Sequence, residues 1–166
     1  MTQEELKSLL IYKPETGDFF WINSSKNGWN GKKAGTVNDK GYSVIEYKNK
    51  AYRSHRVAFL YMLGFVPKCG VDHIDGNTSN NKWSNLRECN QSQNGANSKK
   101  PKNNTSEYKG VSFTKDKKVR PWRAAIRVNK KAIHGGYFET KNEAAVAYNA
   151  MAIKYYGEFA KLNNID

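Results

Sequence analysis

Val71-Asp72-His73-Ile74-Asp75-Gly76-Asn77, followed by Asn85-Leu86-Arg87 and then Asn94, is the stretch of this chain whose residue types could do covalent chemistry. A short apolar lead that ends in Asp-His and runs into amide side chains can hold a divalent metal beside an imidazole base, and that pairing hydrolyses phosphodiesters. The reaction needs a deprotonated water, charge neutralisation on the phosphate and a stabilised leaving oxygen. His73 suits the first task, because a neutral imidazole titrates near neutral pH. Asp72 projects to the opposite side of an extended strand, and at a strand end its carboxylate can ligate Mg²⁺ or Mn²⁺ through oxygen. Asn94 offers a neutral oxygen from the polar run Gln91 to Asn97, which reads as a helix packed against that strand. Asn85 lies midway, where its amide can bond backbone and tie down the chain near the imidazole. Asp75 and Asn77 read as turn formers, with outer-sphere metal or DNA contacts as the alternative. His55, at the start of a helix, reads as a hydrogen-bonded structural residue.

The charge balance names a partner for such a site. The chain has 28 Lys+Arg against 15 Asp+Glu, a net +13, and the excess climbs from +2 in residues 1–50 to +4 in 51–100 and +7 in 101–166. Cationic surface attracts a polyanion and gains free energy by releasing condensed counterions, so double-stranded DNA leads and an anionic membrane is the rival. No stretch approaches the ~20 apolar residues of a bilayer span. The first residues, with Glu4, Glu5 and Pro14, do not look like a secretory signal. A soluble protein of a bacterial or phage-infected cytoplasm is therefore expected. Cys69 and Cys89 form no Cys-x-x-Cys pair and read as reduced thiols, with no zinc expected. Aromatic residues at 13% support modest cores.

These residues need a scaffold, and the pattern supplies two. Thr2 to Leu10 reads as an amphipathic helix with Leu6, Leu9 and Leu10 on one face. Turn signals at Thr16-Gly17-Asp18, Asn38-Asp39-Lys40-Gly41 and Lys48-Asn49-Lys50 separate the strands Phe19 to Ile22, Tyr42 to Tyr47 and Ala51 to Arg53. Ser54 to Leu63 reads as a packed helix through Val57, Leu60 and Tyr61, and Gly64 closes it. Lys99 to Ser106 has no apolar residue and reads as a basic linker. Beyond it come three strands, Tyr108 to Phe113, Trp122 to Val128 and Ala132 to Phe138. In the middle strand Trp122, Ala124, Ile126 and Val128 share one face, while Arg123, Ala125 and Arg127 share the other. Thr140-Lys141-Asn142-Glu143 is a capping box for a helix whose Ala144, Ala147, Tyr148, Met151 and Tyr155 line one side, with Gly157 at its end.

The order Asp72-His73, Asn85, Asn94 resembles the HNH (His-Me finger) endonucleases, in particular the homing-type enzymes common in phages. Ser54-His55-Arg56 and the opening Tyr12-Lys13-Pro14-Glu15-Thr16-Gly17 are similar to that group as well. The resemblance implies that His73 is the general base, Asp72 and Asn94 ligate one divalent metal, and Asn85 is the structural middle residue. The final position is Asn where many relatives have His. Residues 106–164 resemble the apetala-two/ethylene-response-factor DNA-binding domain. The similarity runs through Tyr108-Lys109-Gly110-Val111, Trp122-Arg123-Ala124-Ala125-Ile126-Arg127, Gly136-Tyr137-Phe138, Glu143-Ala144-Ala145 with Ala147-Tyr148, and Ala160-Lys161-Leu162-Asn163. It implies a sheet that reads the major groove, with Lys109, Trp122, Arg123 and Arg127 as candidate DNA contacts. Ser112, Phe113 and His134 depart from the plant pattern, so no target sequence carries over.

The expectation is an α+β chain: a small N-terminal antiparallel sheet with a ββα-metal nuclease core in 1–98, a basic linker at 99–106, and a three-stranded antiparallel sheet on one helix in 107–166. Its expected activity is metal-dependent DNA hydrolysis, nicking and homing-type, by a monomer with a dimer as the alternative. The rival readings are a DNA-binding regulator with an inactive nuclease motif, and an RNA-binding module, for which no ribonucleoprotein signature is found.

Overall fold

Thr2 sits ahead of Glu4 and Glu5, and there a helix begins. In the computed structural model Thr2 is extended and its hydroxyl accepts from Glu5 N, capping α1 (Gln3–Leu9). The structure describes residues 1–23, 28–101 and 103–165, so Lys102 of the expected linker lies outside them. Leu10 does not close α1 as its spacing suggested; it opens β1 (Leu10–Lys13). The period decides: Leu10 and Tyr12 are buried while Ile11 and Lys13 face solvent, the two-residue alternation of a strand.

The chain divides into two compact units, Met1–Glu88 and Cys89–Asp166. In the first, β1 pairs antiparallel with β2 (Asp18–Trp21), which pairs with β3 (Lys33–Ala34). A second sheet orders β4 (Thr36–Val37), β5 (Ser43–Tyr47) and β6 (Lys50–Arg53), joined at Lys48 and Asn49 by a hairpin whose φ values of 48° and 59° are the left-handed pair such turns require. α2 (Ser54–Leu63) ends at Gly64, whose φ of 80° makes the left-handed cap. It buries Val57, Ala58 and Phe59, with Leu60 and Tyr61 only partly covered. The core joins these to Leu6, Leu10, Tyr12, Phe19, Trp21 and Ile45. Last comes a two-stranded ladder of β7 (Val71–His73) and β8 (Leu86–Glu88).

The second unit starts with α3 (Gln91–Asn97), closed at its N-terminus by an Asn90/Gln93 capping box. This helix falls in the second unit, where Ala96 and the preceding Cys89 join the core. The end of the expected linker is pinned by its own polar groups. Ser106 is buried, and its hydroxyl lies within hydrogen-bond distance of Asn104 Oδ1 and of the Tyr108 and Val111 carbonyls. β9 (Val111–Phe113), β10 (Trp122–Val128) and β11 (Lys131–Phe138) form an antiparallel sheet in the order β11-β10-β9. α4 (Lys141–Tyr156) starts at the Thr140/Glu143 capping box and packs on all three strands. Its buried line is Ala144, Ala145, Tyr148, Ala152 and Tyr156; Tyr155, expected inside, is exposed, because Tyr156 takes the core-facing place and its hydroxyl meets the Arg127 carbonyl. The α+β class holds, with small antiparallel sheets in both units.

One glycine fixes how the first hairpin meets the rest. A Cβ on Gly17 would lie 2.3 Å from the Asn81 carbonyl carbon and 2.4 Å from Lys82 N, at a φ of +79°. Gly17→Ala should therefore lower the melting temperature by more than the ~1–2 kcal/mol of left-handed backbone alone accounts for. Gly28→Ala is the control, since Gly28 has a φ of +74° and, among the described residues, nothing lies within 4 Å of such a Cβ. Equal losses in the two variants would show that the close approach at Asn81 does not constrain the fold.

Candidate functional site

The β7–β8 register sets Asp72 opposite Arg87 and His73 opposite Leu86. All three residues of β7 are buried, including the polar pair, and Asp72 and His73 are each 4% exposed. A buried carboxylate needs a partner. Arg87 supplies it: its Nε and Nη2 lie 3.0 Å and 2.9 Å from Asp72 Oδ2. Nothing in the sequence marks Arg87 for this role; the β7–β8 register, which sets it directly across from Asp72, assigns it.

His73 Nε2 lies 3.2 Å from Asn81 Oδ1. The His55 ring meets the His73 ring edge-on at 5.0 Å and 89°, and Tyr42 tilts against both. His55 was expected to be hydrogen-bonded; it is buried by ring packing instead, and its Nδ1 has no hydrogen-bond partner among the described residues. Burial lowers the pKa of His73, although the Asn81 bond and the charges of Asp75 and Asp72 pull the other way. Burial, then His73, Arg53 and Arg56, push His55 down to about 3.

The connection from β7 to β8 is held by amides. Asn85, in a short 3-10 turn (Trp83–Asn85), accepts from Asp75 N at 3.0 Å and donates from Nδ2 to Asp75 Oδ1 and the Asn80 carbonyl. Its own carbonyl accepts from Ile74 N at 2.9 Å. Asp75 also accepts from Asn77 N and Asn80 Nδ2, and Asn77 Oδ1 accepts from Ser79, so both residues are turn formers here. The first hairpin reaches the same loop. Tyr12 Oη donates to the Asn81 carbonyl at 2.6 Å, and Trp83 N donates to the Pro14 carbonyl at 2.9 Å. Asn81 is the residue that sequence reasoning missed, since an amide inside a polar run carries no mark of burial; Tyr12 stood out only as part of the opening that is similar to the HNH group.

Asp72, His73 and Asn85 thus lie together in the first unit, whereas Asn94 is an exposed residue on α3 of the second. Of the candidate DNA contacts, Lys109 donates from Nζ to the carbonyls of Gly95, Ala96 and Ser98 at the end of α3, and burial pushes its pKa down to about 8. Trp122 packs against the second core and edge-on to Phe113 at 5.2 Å. Arg127 is exposed, while Arg123 Nε is buried with no hydrogen-bond partner among the described residues.

The buried imidazoles dictate a pH dependence of stability. His55 titrates at about 3 when folded and at about 6.5 when unfolded, so between those values the unfolded chain binds more protons. The stabilisation is fully present above about pH 6.5 and is lost as the pH falls toward 3. The melting temperature should accordingly drop on acidification, and less steeply in His55→Phe than in wild type. Parallel profiles for the two proteins would show that His55 is not held neutral by burial.

Residues 52–96 match the family model described as HNH endonuclease. Protein 3.8 of Escherichia phage T7 is 40% identical over 78 residues, covering 46% of this chain and 63% of that protein. A protein of Acanthamoeba polyphaga mimivirus described as an uncharacterised HNH endonuclease is 36% identical over 130 residues, covering 76% of this chain and 64% of its own length. The chain thus spans somewhat under two thirds of either relative. Among solved structures, the HNH homing endonuclease I-HmuI, studied for DNA binding and cleavage, matches with a TM-score of 0.42 and 26% identity over 55% of this chain and 52% of its own. The stretch of this chain that carries the HNH endonuclease pattern, residues 52–96, is the one that holds Asp72, His73, Asn85 and Asn94.

Proposed function

We propose that this protein is a metal-dependent DNA endonuclease in which His73 takes the proton from the attacking water. The observation that carries the reading is a buried imidazole, held at Nε2 by an amide oxygen and adjacent in chain to a buried carboxylate, within the segment matched by the HNH endonuclease family. Asp72 offers a hard oxygen whose orientation Arg87 fixes through Oδ2, and Asn94 is the second ligand that the family resemblance assigns. One carboxylate and one amide oxygen suit Mg²⁺ or Mn²⁺, which keep several waters and prefer oxygen donors. When bound, such an ion supplies positive charge for the phosphate and the leaving oxygen. His73 accepts the proton, and Asp75 and Asn85 hold the loop that follows it.

The net charge of +13 supports DNA as the substrate. One set of motif residues per chain makes a nick the default product of a monomer. The second unit, a three-stranded sheet on one helix, supports a groove-reading role like that of the apetala-two/ethylene-response-factor domains, with Arg127 the better placed of the two arginines because it is exposed. Homing-type site choice rests on the resemblance of Asp72-His73, Asn85 and Asn94 to the HNH endonucleases.

His73→Ala should retain DNA affinity and lose at least the ~10² to 10⁴ of rate that a positioned general base contributes, read as nicking of supercoiled plasmid in Mg²⁺. Cleavage by wild type should also stop in EDTA. Full activity in either arm removes the proposed chemistry, and DNA affinity without any cleavage moves the protein to a binding regulator. A further outcome concerns recognition. If Arg127 contacts a guanine edge, Arg127→Ala should cost ~1–3 kcal/mol and relax one position of the target. A uniform loss on all sequences with a shallower salt dependence would make it a phosphate contact instead.

A further inference from the structure

β9 is too short to cover the edge of β10. Its pairing stops at Val111 opposite Ala124, and Gly110 adds one more bond by accepting from Ala125 N. Further along, side chains meet the edge: Tyr156 Oη donates to the Arg127 carbonyl, and Ser92 Oγ on α3 accepts from Asn129 N at 2.9 Å. A helix bridged to a strand edge through side chains stands off from it, and a cavity of about 750 Å³ lies between α3, β10 and the segment that follows α3. That volume is in the range of small-ligand sites.

Gly95 leaves this space open. It lies inside the two-turn α3, where glycine destabilises a helix relative to alanine. Neither a positive φ nor a close approach calls for it, since a Cβ there would meet nothing within 4 Å among the described residues. A long side chain at this lining position would take up part of the cavity.

The wall is one-sided in charge. Lys99, Lys109, Arg127 and Lys130 line it, and among the described residues no carboxylate does. Lys109 Nζ is committed to the carbonyls of α3 and contributes charge alone, whereas the other three are exposed. A cleft of one sign between low-dielectric walls focuses its field on what enters it. Its floor is apolar, from Ile126, Tyr148 and Tyr156, and Gln91 and Asn129 add amide side chains. The complementary molecule carries an anionic group, a flat body for the tyrosines, and an edge that both gives and takes hydrogen bonds. A hydrocarbon acid would leave the amides unpaired.

We propose that this cavity of the second unit is a nucleotide site, with the base against the apolar floor and the phosphate drawn by Lys99 and Lys130. The same chemistry comes from two sources, a free mononucleotide or an unstacked nucleotide of a single strand.

The test titrates the full chain with deoxyadenosine monophosphate in EDTA, so that no metal bridges ligand and protein, and follows the amides of Gly95, Ala125 and Arg127 in ¹H–¹⁵N spectra. They should shift saturably with a Kd below ~1 mM, while deoxyadenosine and inorganic phosphate, each carrying one part of the ligand, should bind roughly 10-fold more weakly. Gly95→Leu should abolish the shifts. Lys99→Ala combined with Lys130→Ala, at exposed positions that the fold does not need, should weaken binding roughly 10-fold. The double variant decides the matter if Gly95→Leu does not fold. A phosphorylated single-stranded oligonucleotide separates the sources: shifts of the same amides by the oligonucleotide and not by the mononucleotide place the nucleotide within a strand. No saturable shift with either ligand overturns the proposal. So does wild-type affinity in the double variant, or phosphate alone binding as tightly as the nucleotide. Binding is read here without cleavage, so failure of the nuclease reading would leave the result unchanged.

Discussion

A carboxylate and an imidazole are buried on adjacent residues of one three-residue strand, and most of what surrounds β7 answers the cost of putting them there. Burying a polar group unpaired costs on the order of 1–3 kcal/mol, and more for a charge. Asp72 is met by the two guanidinium donors of Arg87, His73 by the Asn81 amide, and the backbone just after them, at Ile74 and Asp75, by Asn85. Removing Arg87 would leave a carboxylate 5% exposed with its cross-strand cation gone, the kind of loss that exceeds what the pair itself contributes. The loop between β7 and β8 is correspondingly built from amides and short polar side chains, since each must give and take hydrogen bonds within a few residues.

The second unit solves a different problem. Its helix α3 has only two turns, too few to be stable by propensity, and its last carbonyls are satisfied by the ammonium of Lys109 from the segment ahead of β9. Tyr156 links the same unit's elements through its hydroxyl, which reaches Ser92 on α3 and the Arg127 carbonyl on β10. The sheet therefore carries a rigid backing, and the residues left for solvent on β10 are set by strand alternation, with Arg127 exposed and Ala124 and Ile126 inside.

Much of this was legible in the chain. α2 with its Gly64 cap, the Lys48-Asn49 turn, the Thr140/Glu143 capping box and the inward face of β10 all follow from local patterns, and local patterns are what sequence displays. So was the grouping of Asp72, His73 and Asn85. What stayed hidden depends on tertiary partners. Leu10 fits a helix face until a second strand offers it a ladder. Lys109 counts as one more positive charge until α3 presents carbonyls to it. His55 gives no hint that it will lie against His73 without a bond to Nδ1, and Asn81 is one of several asparagines in a loop. Tyr155 and Tyr156 differ by a single step of helix rotation, too fine a distinction for apolar spacing to draw.

The Tyr12–Asn81 hydrogen bond joins residues 69 positions apart. Closing so long a loop is opposed by chain entropy that grows with the logarithm of its length, and it is repaid only by contacts already formed on either side. The hairpins and helices of the first unit are local and can assemble early. The grip on Asn81 belongs instead to the end of folding, when the N-terminal hairpin docks on the loop ahead of β8. A chain partly opened at this contact would then keep Asp72, His73 and Asn85 in sequence without the N-terminal hairpin's hold on the Asn81 carbonyl beside them.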